Sequence, residues 1–257
     1  MIFYFSGTGN TEWTAKTLAN ALQDELIWIP DALKGDCHYT LKEGERIGFC
    51  FPVHGWRPPS LVRKFISKLH INQPAFTYAI VTAGDTIGET IDILENDLSL
   101  CGITLDSAYS LIMPESYVGL PFMDVDRPEK ELAKKQKAAD DLKLFISEIL
   151  ERKRGIRTLT IGHWPRINSR IIGSFFLNHL ITDKPFHIHV DKCLRCGKCQ
   201  DVCPVDNIMG GKGNIPQWKH NTECLTCFAC YHYCPVHAIE YGQRTKNKGQ
   251  YYYRKNQ

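Results

Sequence analysis

Long hydrophobic runs are missing from this 257-residue chain; the longest strongly apolar stretch, Ile171 to Ile181, is too short to span a bilayer. Also missing are H-E-x-x-H, a Ser-His-Asp arrangement and a carboxylate pair set for acid–base work, which leaves hydrolytic chemistry without a candidate site. A Walker lysine and G-x-G-x-x-G are absent, and with them the usual cradles for nucleoside triphosphates and dinucleotides. No nucleic-acid motif accompanies the net charge of +3, so a nucleic-acid partner is not expected. Met1-Ile2 begins on a strand pattern with no charged region before it. No leader is therefore expected, and the chain reads as cytoplasmic with reduced thiols.

What the chain has is cysteine in a repeated pattern. Of its 11 cysteines, Cys193, Cys196, Cys199 and Cys203 precede Pro204, and Cys224, Cys227, Cys230 and Cys234 precede Pro235. Each run reads C-x2-C-x2-C-x3-C-P, the ligand run of two-cluster bacterial-type ferredoxins. Three thiolates on one tight turn can reach three irons of one cubane while the fourth points elsewhere, and in the paired arrangement that fourth cysteine serves the other cluster. The expected sets are Cys193, Cys196, Cys199 and Cys234 for one [4Fe-4S] cluster, and Cys224, Cys227, Cys230 and Cys203 for the second. The repeat continues past the ligands, because Cys203-Pro204-Val205-x-x-Ile208 recurs 31 residues later as Cys234-Pro235-Val236-x-x-Ile239. Zinc sites usually hold two C-x2-C pairs on separate knuckles, and disulfides need an oxidising compartment, so neither suits the pattern. Cys37, Cys50 and Cys101 share no spacing and read as small buried hydrophobes.

From Met1 to about residue 152, strand-like and helix-like segments alternate, which implies a parallel sheet covered on both faces. Strands are expected at Ile2–Phe5, Leu26–Ile29, Arg46–Phe51, Phe76–Thr82 and Leu105–Met113, with helices at Thr11–Leu22, Pro59–Leu69, Thr86–Leu100 and Glu129–Arg152. Five strands with short loops predict an α/β doubly wound sheet with its ligand beyond the carboxyl ends of the strands. The halves differ in charge: 14 basic against 21 acidic residues up to residue 150, and 17 against 7 after it, leaving −7 and +10. That asymmetry favours docking of the halves or steering of a charged redox partner.

The loop after the first strand, Ser6-Gly7-Thr8-Gly9-Asn10-Thr11, leads straight into an amphipathic helix. Small residues, hydroxyls and a helix N-terminus suit a phosphate monoester, and an ordinary N-capped turn is the plainer alternative. At the very start of the chain this loop resembles the FMN-phosphate loop of flavodoxins. Two further loops are similar to those of the family. Pro52-Val53-His54-Gly55-Trp56 resembles the loop that brings an aromatic ring and a flippable Gly55 peptide to the isoalloxazine, and Thr82-Ala83-Gly84-Asp85 the loop that encloses the pyrimidine edge. The resemblance implies FMN bound by these residues. It departs after Asp85, where Thr86-Ile87-Gly88 stands in place of a second aromatic and Tyr117 or Phe122 could substitute.

The whole chain thus resembles bacterial fusions, common in anaerobes, of a flavodoxin domain with a two-[4Fe-4S] ferredoxin domain. The expected division is a flavodoxin-like FMN-binding domain over 1–154, an ordered apolar connector over 155–185, a small α+β ferredoxin domain over 186–242 and a basic, aromatic tail over 243–257. Phe175, Phe176 and Leu177 of the connector are expected to be buried between the domains, and the tail is either frayed or folded back. The resemblance implies electron transfer between external redox partners, two clusters and FMN. The alternative is a ferredoxin-dependent reductase acting on a small organic substrate through an uncovered flavin face. No catalytic residue is expected, and the redox partner, protein or small molecule, is not identified.

Overall fold

A computed structural model describes residues 1–254 of the chain. Six parallel strands form the central sheet: β1 (Ile2–Tyr4), β2 (Leu26–Trp28), β3 (Arg46–Pro52), β4 (Phe76–Ala83), β5 (Ser107–Ile112) and β6 (Arg157–Thr158). Their spatial order is β2-β1-β3-β4-β5-β6, the flavodoxin-like doubly wound order with one strand added at the edge. The expected five strands are therefore six. The sixth comes from the segment expected to be connector, where Arg157 and Thr158 pair with Ala108 and Tyr109. Arg157 holds this exposed edge through hydrogen bonds to the Leu105 and Asp106 carbonyl oxygens.

The middle strands are buried on both faces, as a parallel sheet between helix layers requires. Their side chains alternate between two cores. Ile47, Phe49, Phe51, Ala79 and Val81 pack with helices α2 (Ser60–Ile66) and α3 (Thr90–Ser99). Cys50, Tyr78 and Ile80 face the other way, toward α1 (Asn10–Leu22) and α4 (Pro128–Leu150). Gly48 lies against the Tyr78 ring, where a Cβ would come within 2.5 Å of ring atoms, so the bulk of one strand fills the gap left by its neighbour.

Beyond β6 the chain winds as a wide π-type helix over Ile167–Ile172 and Phe176–Leu180, with an α-helical turn, Gly173–Phe175, between them. It then enters a small unit whose two halves repeat at 31 residues: helix α5 (Lys198–Asp201) matches α6 (Ala229–His232). Strand β7 (Phe186–Ile188) pairs antiparallel with β10 (Ile239–Tyr241), and β8 (Ile208–Met209) with β9 (Gln217–Trp218). The core of this unit stacks Phe186 on Trp218 at 5.3 Å and sets it edge-to-face with Tyr241 at 4.7 Å, and it includes Val118 from the loop after β5. The two halves of the chain thus share a core. Among the described residues no helix is long and apolar enough to cross a membrane.

Candidate iron–sulfur centres and the loops beneath them

The eight repeated cysteines surround two cavities in the small unit. Cys193, Cys196, Cys199 and Cys234 line one; Cys203, Cys224, Cys227 and Cys230 line the other. Each cavity is thus built from three cysteines of one run and the last of the other. The crossing follows from the fold, since antiparallel pairing of β7 with β10 and contact of α5 with α6 bring the end of each run beside the start of its partner. Four thiols around each cavity form a donor set that suits a cluster with several irons.

Backbone amides reinforce both sites in the same register. Arg195 N–H donates to Cys193 Sγ at 3.4 Å and Ala238 N–H to Cys234 Sγ at 3.2 Å. Thr226 N–H donates to Cys224 Sγ at 3.4 Å and Asn207 N–H to Cys203 Sγ at 3.2 Å, so each cavity receives one bond of each kind. Burial pushes the free thiols of Cys199, Cys224 and Cys227 up to about 11, 12 and 12. Such thiols hold their protons at neutral pH until iron replaces them.

The cavities differ in outlook. The first has an exposed rim, with Cys196 and Leu194 open to solvent. The second faces the sheet: Leu225 is buried in the α2–α3 core, with Cys227 and Val205 packed against it. A Cβ added at Gly7 would lie only 3.1 Å from Cys227 Cβ.

Gly7 belongs to the loop that resembles an FMN-phosphate cradle, and the structure places that whole loop in contacts of its own. Ser6 Oγ accepts the Gly9 N–H at 3.1 Å, and Thr11 Oγ1 lies 2.7 Å from Thr82 Oγ1. Asn10 donates through Nδ2 to the Pro114 carbonyl oxygen at 3.0 Å and accepts at Oδ1 from the Tyr251 hydroxyl at 2.6 Å. Thr8 O accepts the Tyr253 N–H at 2.9 Å. Gly9, at φ 95°, faces Tyr253 so closely that a Cβ would stand 3.0 Å from that of the tyrosine. The tail is folded over the loop through Tyr253; Tyr251 and Tyr253 are buried, Arg254 is exposed, and 255–257 lie outside the described residues.

The loop after β3 is covered as well. Pro52 pairs with Thr82 at the strand end, and His54 bonds with Arg57 through the backbone. His54 lies edge-on to Phe5 at 6.1 Å, and burial lowers its pKa to about 4. Gly55 meets Gly173 of the connector backbone to backbone, since a Cβ on Gly173 would sit 2.2 Å from Gly55 O. The Phe176 ring closes over Gly55 from the side. Trp56 donates from Nε1 to Thr86 Oγ1 at 3.1 Å, and its carbonyl oxygen accepts from Ser169 Oγ at 3.0 Å. In the third loop, Ala83 O accepts the Met113 N–H, Gly84 O accepts from Lys134 Nζ at 2.7 Å, the Glu115 carboxylate presses on Gly84, and Asp85 is exposed.

In this arrangement the connector is packed against the Gly55 loop and the tail against the Thr8–Asn10 loop, the loops that resemble FMN contacts. Of the expected connector trio, Phe176 is buried against Tyr117 at 5.4 Å and Leu177 is half-buried, whereas Phe175 is exposed with its ring beside His179 at 4.8 Å. The helix presents one phenylalanine inward and turns the next one out. Of the two proposed replacement aromatics, Tyr117 packs between Phe176 and Phe228, and Phe122 is exposed. Sequence reasoning missed Gly173, Ser169 and Glu115; the alternation of Tyr251 and Tyr253 was the one available hint of the tail's inward face.

Residues 186–235 match the family model of a 4Fe-4S dicluster domain, and the chain carries a 4Fe-4S-binding domain there. No curated protein matches the chain. Among solved structures, it is similar to the Trp repressor binding protein from Bacillus subtilis, at 15% identity and a TM-score of 0.33, over 56% of this chain and 97% of that one. It is also similar to rubredoxin oxygen:oxidoreductase from the anaerobe Desulfovibrio gigas, at 15% identity and a TM-score of 0.29, over 58% of this chain and 36% of that one. Likeness this distant carries no argument about activity.

Proposed function

We propose that this chain is an electron-transfer iron–sulfur protein in which two [4Fe-4S] clusters, held by the crossed cysteine sets, lead from an external redox partner toward the flavodoxin-like half. The observation that carries this reading is the pair of four-cysteine cavities in one small unit, one opening to solvent and the other facing the sheet. Bound clusters supply one-electron exchange. The chain's residues keep that exchange ordered. Leu194, Arg195 and Lys198 line the outer cavity and offer a mixed apolar and basic rim to a partner, while the buried rings of Phe186, Trp218 and Phe228 line the inner cavity. The four amide bonds to sulfur favour the reduced state, as hydrogen bonds to cluster sulfurs do.

FMN is part of this reading only for a state in which the three loops are uncovered. The reductase alternative needs an open flavin face for a substrate, and the Phe176 ring against Gly55, with Tyr117 packed on it, weighs against that.

Anaerobically prepared protein should hold about eight iron and about eight labile sulfide per chain. Cys203→Ala should empty the cavity of Cys224, Cys227 and Cys230 and leave the other, halving the iron and removing one set of electron paramagnetic resonance signals. Loss of the cluster at Cys193, Cys196 and Cys199 in that variant would refute the crossed sets. Zinc without sulfide in the unaltered protein would refute the reading as a whole.

A further inference from the structure

Every loop that resembles an FMN contact is in contact with this chain's own later segments. At the ring end, Gly173 and Phe176 close on Gly55, and Ser169 ties two loops together by donating to Trp56 O and accepting the Glu89 N–H at 2.8 Å. Arg57 completes that clamp by donating to Ser169 O at 3.2 Å and Ser174 Oγ at 2.8 Å. The Arg170 guanidinium pairs with the Glu89 carboxylate at 2.7 Å. At the phosphate end, the Tyr251 hydroxyl takes Asn10 Oδ1, the Tyr253 amide takes Thr8 O, and the Tyr253 ring stacks on Trp13 at 5.1 Å.

Electrostatics acts in the same direction. The loop has no lysine or arginine, so a phosphate there would rely on backbone N–H groups and the positive end of α1. The structure brings Cys227 Sγ within 3.8 Å of where a Gly7 Cβ would be, and a cluster on that thiolate set is itself anionic. A cluster there and a phosphate on the loop would repel each other.

We propose that docking of the ferredoxin unit and binding of FMN are mutually exclusive: Gly173–Phe176 and Tyr251–Tyr253 occupy the ring and phosphate positions, and the arrangement described here is the flavin-free one. This rests on the electron-transfer reading above and adds a built-in occupant to its flavodoxin-like half. Linkage makes the competition reciprocal, so FMN must loosen the tail by the factor by which the tail weakens FMN.

The test uses the full chain, prepared anaerobically with its clusters, and FMN as the probe. Flavin fluorescence is titrated for the unaltered protein, for Phe176→Ala and for a chain ending at Gln250, with circular dichroism as a check on folding. Each variant is expected to bind FMN about tenfold or more tightly than the unaltered protein, and saturating FMN is expected to speed hydrogen exchange at Tyr251 to Tyr253 in the latter. Unaltered protein isolated with one tightly held FMN while that segment stays protected would overturn the proposal. So would a folded Phe176→Ala that binds FMN no better than the unaltered protein, or not at all. Phe176→Ala decides alone if the shortened chain does not fold. Iron and sulfide counts on the same samples report on the electron-transfer reading separately: clusters present without FMN competition sink only this proposal.

Discussion

At the scale of single residues, most of the chemistry lies in groups whose protons or side chains are controlled by burial. His54 is the clearest case. Its folded pKa of about 4 lies below the ordinary 6.5, so the folded chain keeps the imidazole neutral at a pH where the unfolded chain protonates it. Stability is unaffected by this group above about pH 6.5 and falls as pH drops from there to about 4. Thermal melts over that range should show the slope, and His54→Gln should flatten it. An unchanged slope in the variant would assign the acid sensitivity to other groups. The glycines act by omission: Gly55, at φ 56°, and Gly173 let two backbones touch, a contact that any Cβ on Gly173 would prevent.

At the scale of elements, the helical connector decides how the halves meet. Its neighbouring phenylalanines have opposite fates, so they should respond differently to the same change. Phe175→Ser, at an exposed position, should alter stability by no more than about 0.5 kcal/mol. Phe176→Ser removes a buried ring from between Gly55 and Tyr117 and should cost about 3–5 kcal/mol of docking and packing energy. Denaturant melts of the two variants check this; equal losses would mean that both rings pack. Strand β6 is a smaller element with a related role. Through Arg157 it ties the segment leading to the connector to the sheet before the connector crosses the strand ends.

At the scale of the whole molecule, the small unit has a thin core and depends on its metal sites, whereas the sheet has two full apolar cores. Removing iron with a chelator should therefore unfold the chain in parts. Amides of residues 186–242 and of the overlying tail should lose protection first, and those of β3 and β4 should keep it. Hydrogen exchange followed by mass spectrometry distinguishes this from a single cooperative loss, which would mean that the shared core around Val118 and Phe228 couples the halves fully. The charge asymmetry belongs to this scale too. Glu89 with Arg170 and Glu95 with Arg157 join the acidic early part of the chain to the basic later part, mostly at exposed positions where such pairs orient more than they stabilise.

The sequence by itself determined what is local. Cysteine spacing within each run dictates which thiols share a turn, and runs of apolar, aromatic and β-branched residues such as Phe76–Ala83 dictate buried strands. A strand of two polar residues, Arg157 and Thr158, left no such trace, because neither periodicity nor apolarity marks an edge held by one guanidinium. Only the tertiary structure decided what stands over the ends of the strands. The contacts that cover those loops join Gly55 to Gly173 and Asn10 to Tyr251, pairs far apart in the chain and, for the glycines, without side chains. A phosphate loop and a seat for a closely packed second segment both need small residues such as Gly7 and Gly9, so their composition is alike. Which of the two a loop serves depends on what the rest of the chain lays against it.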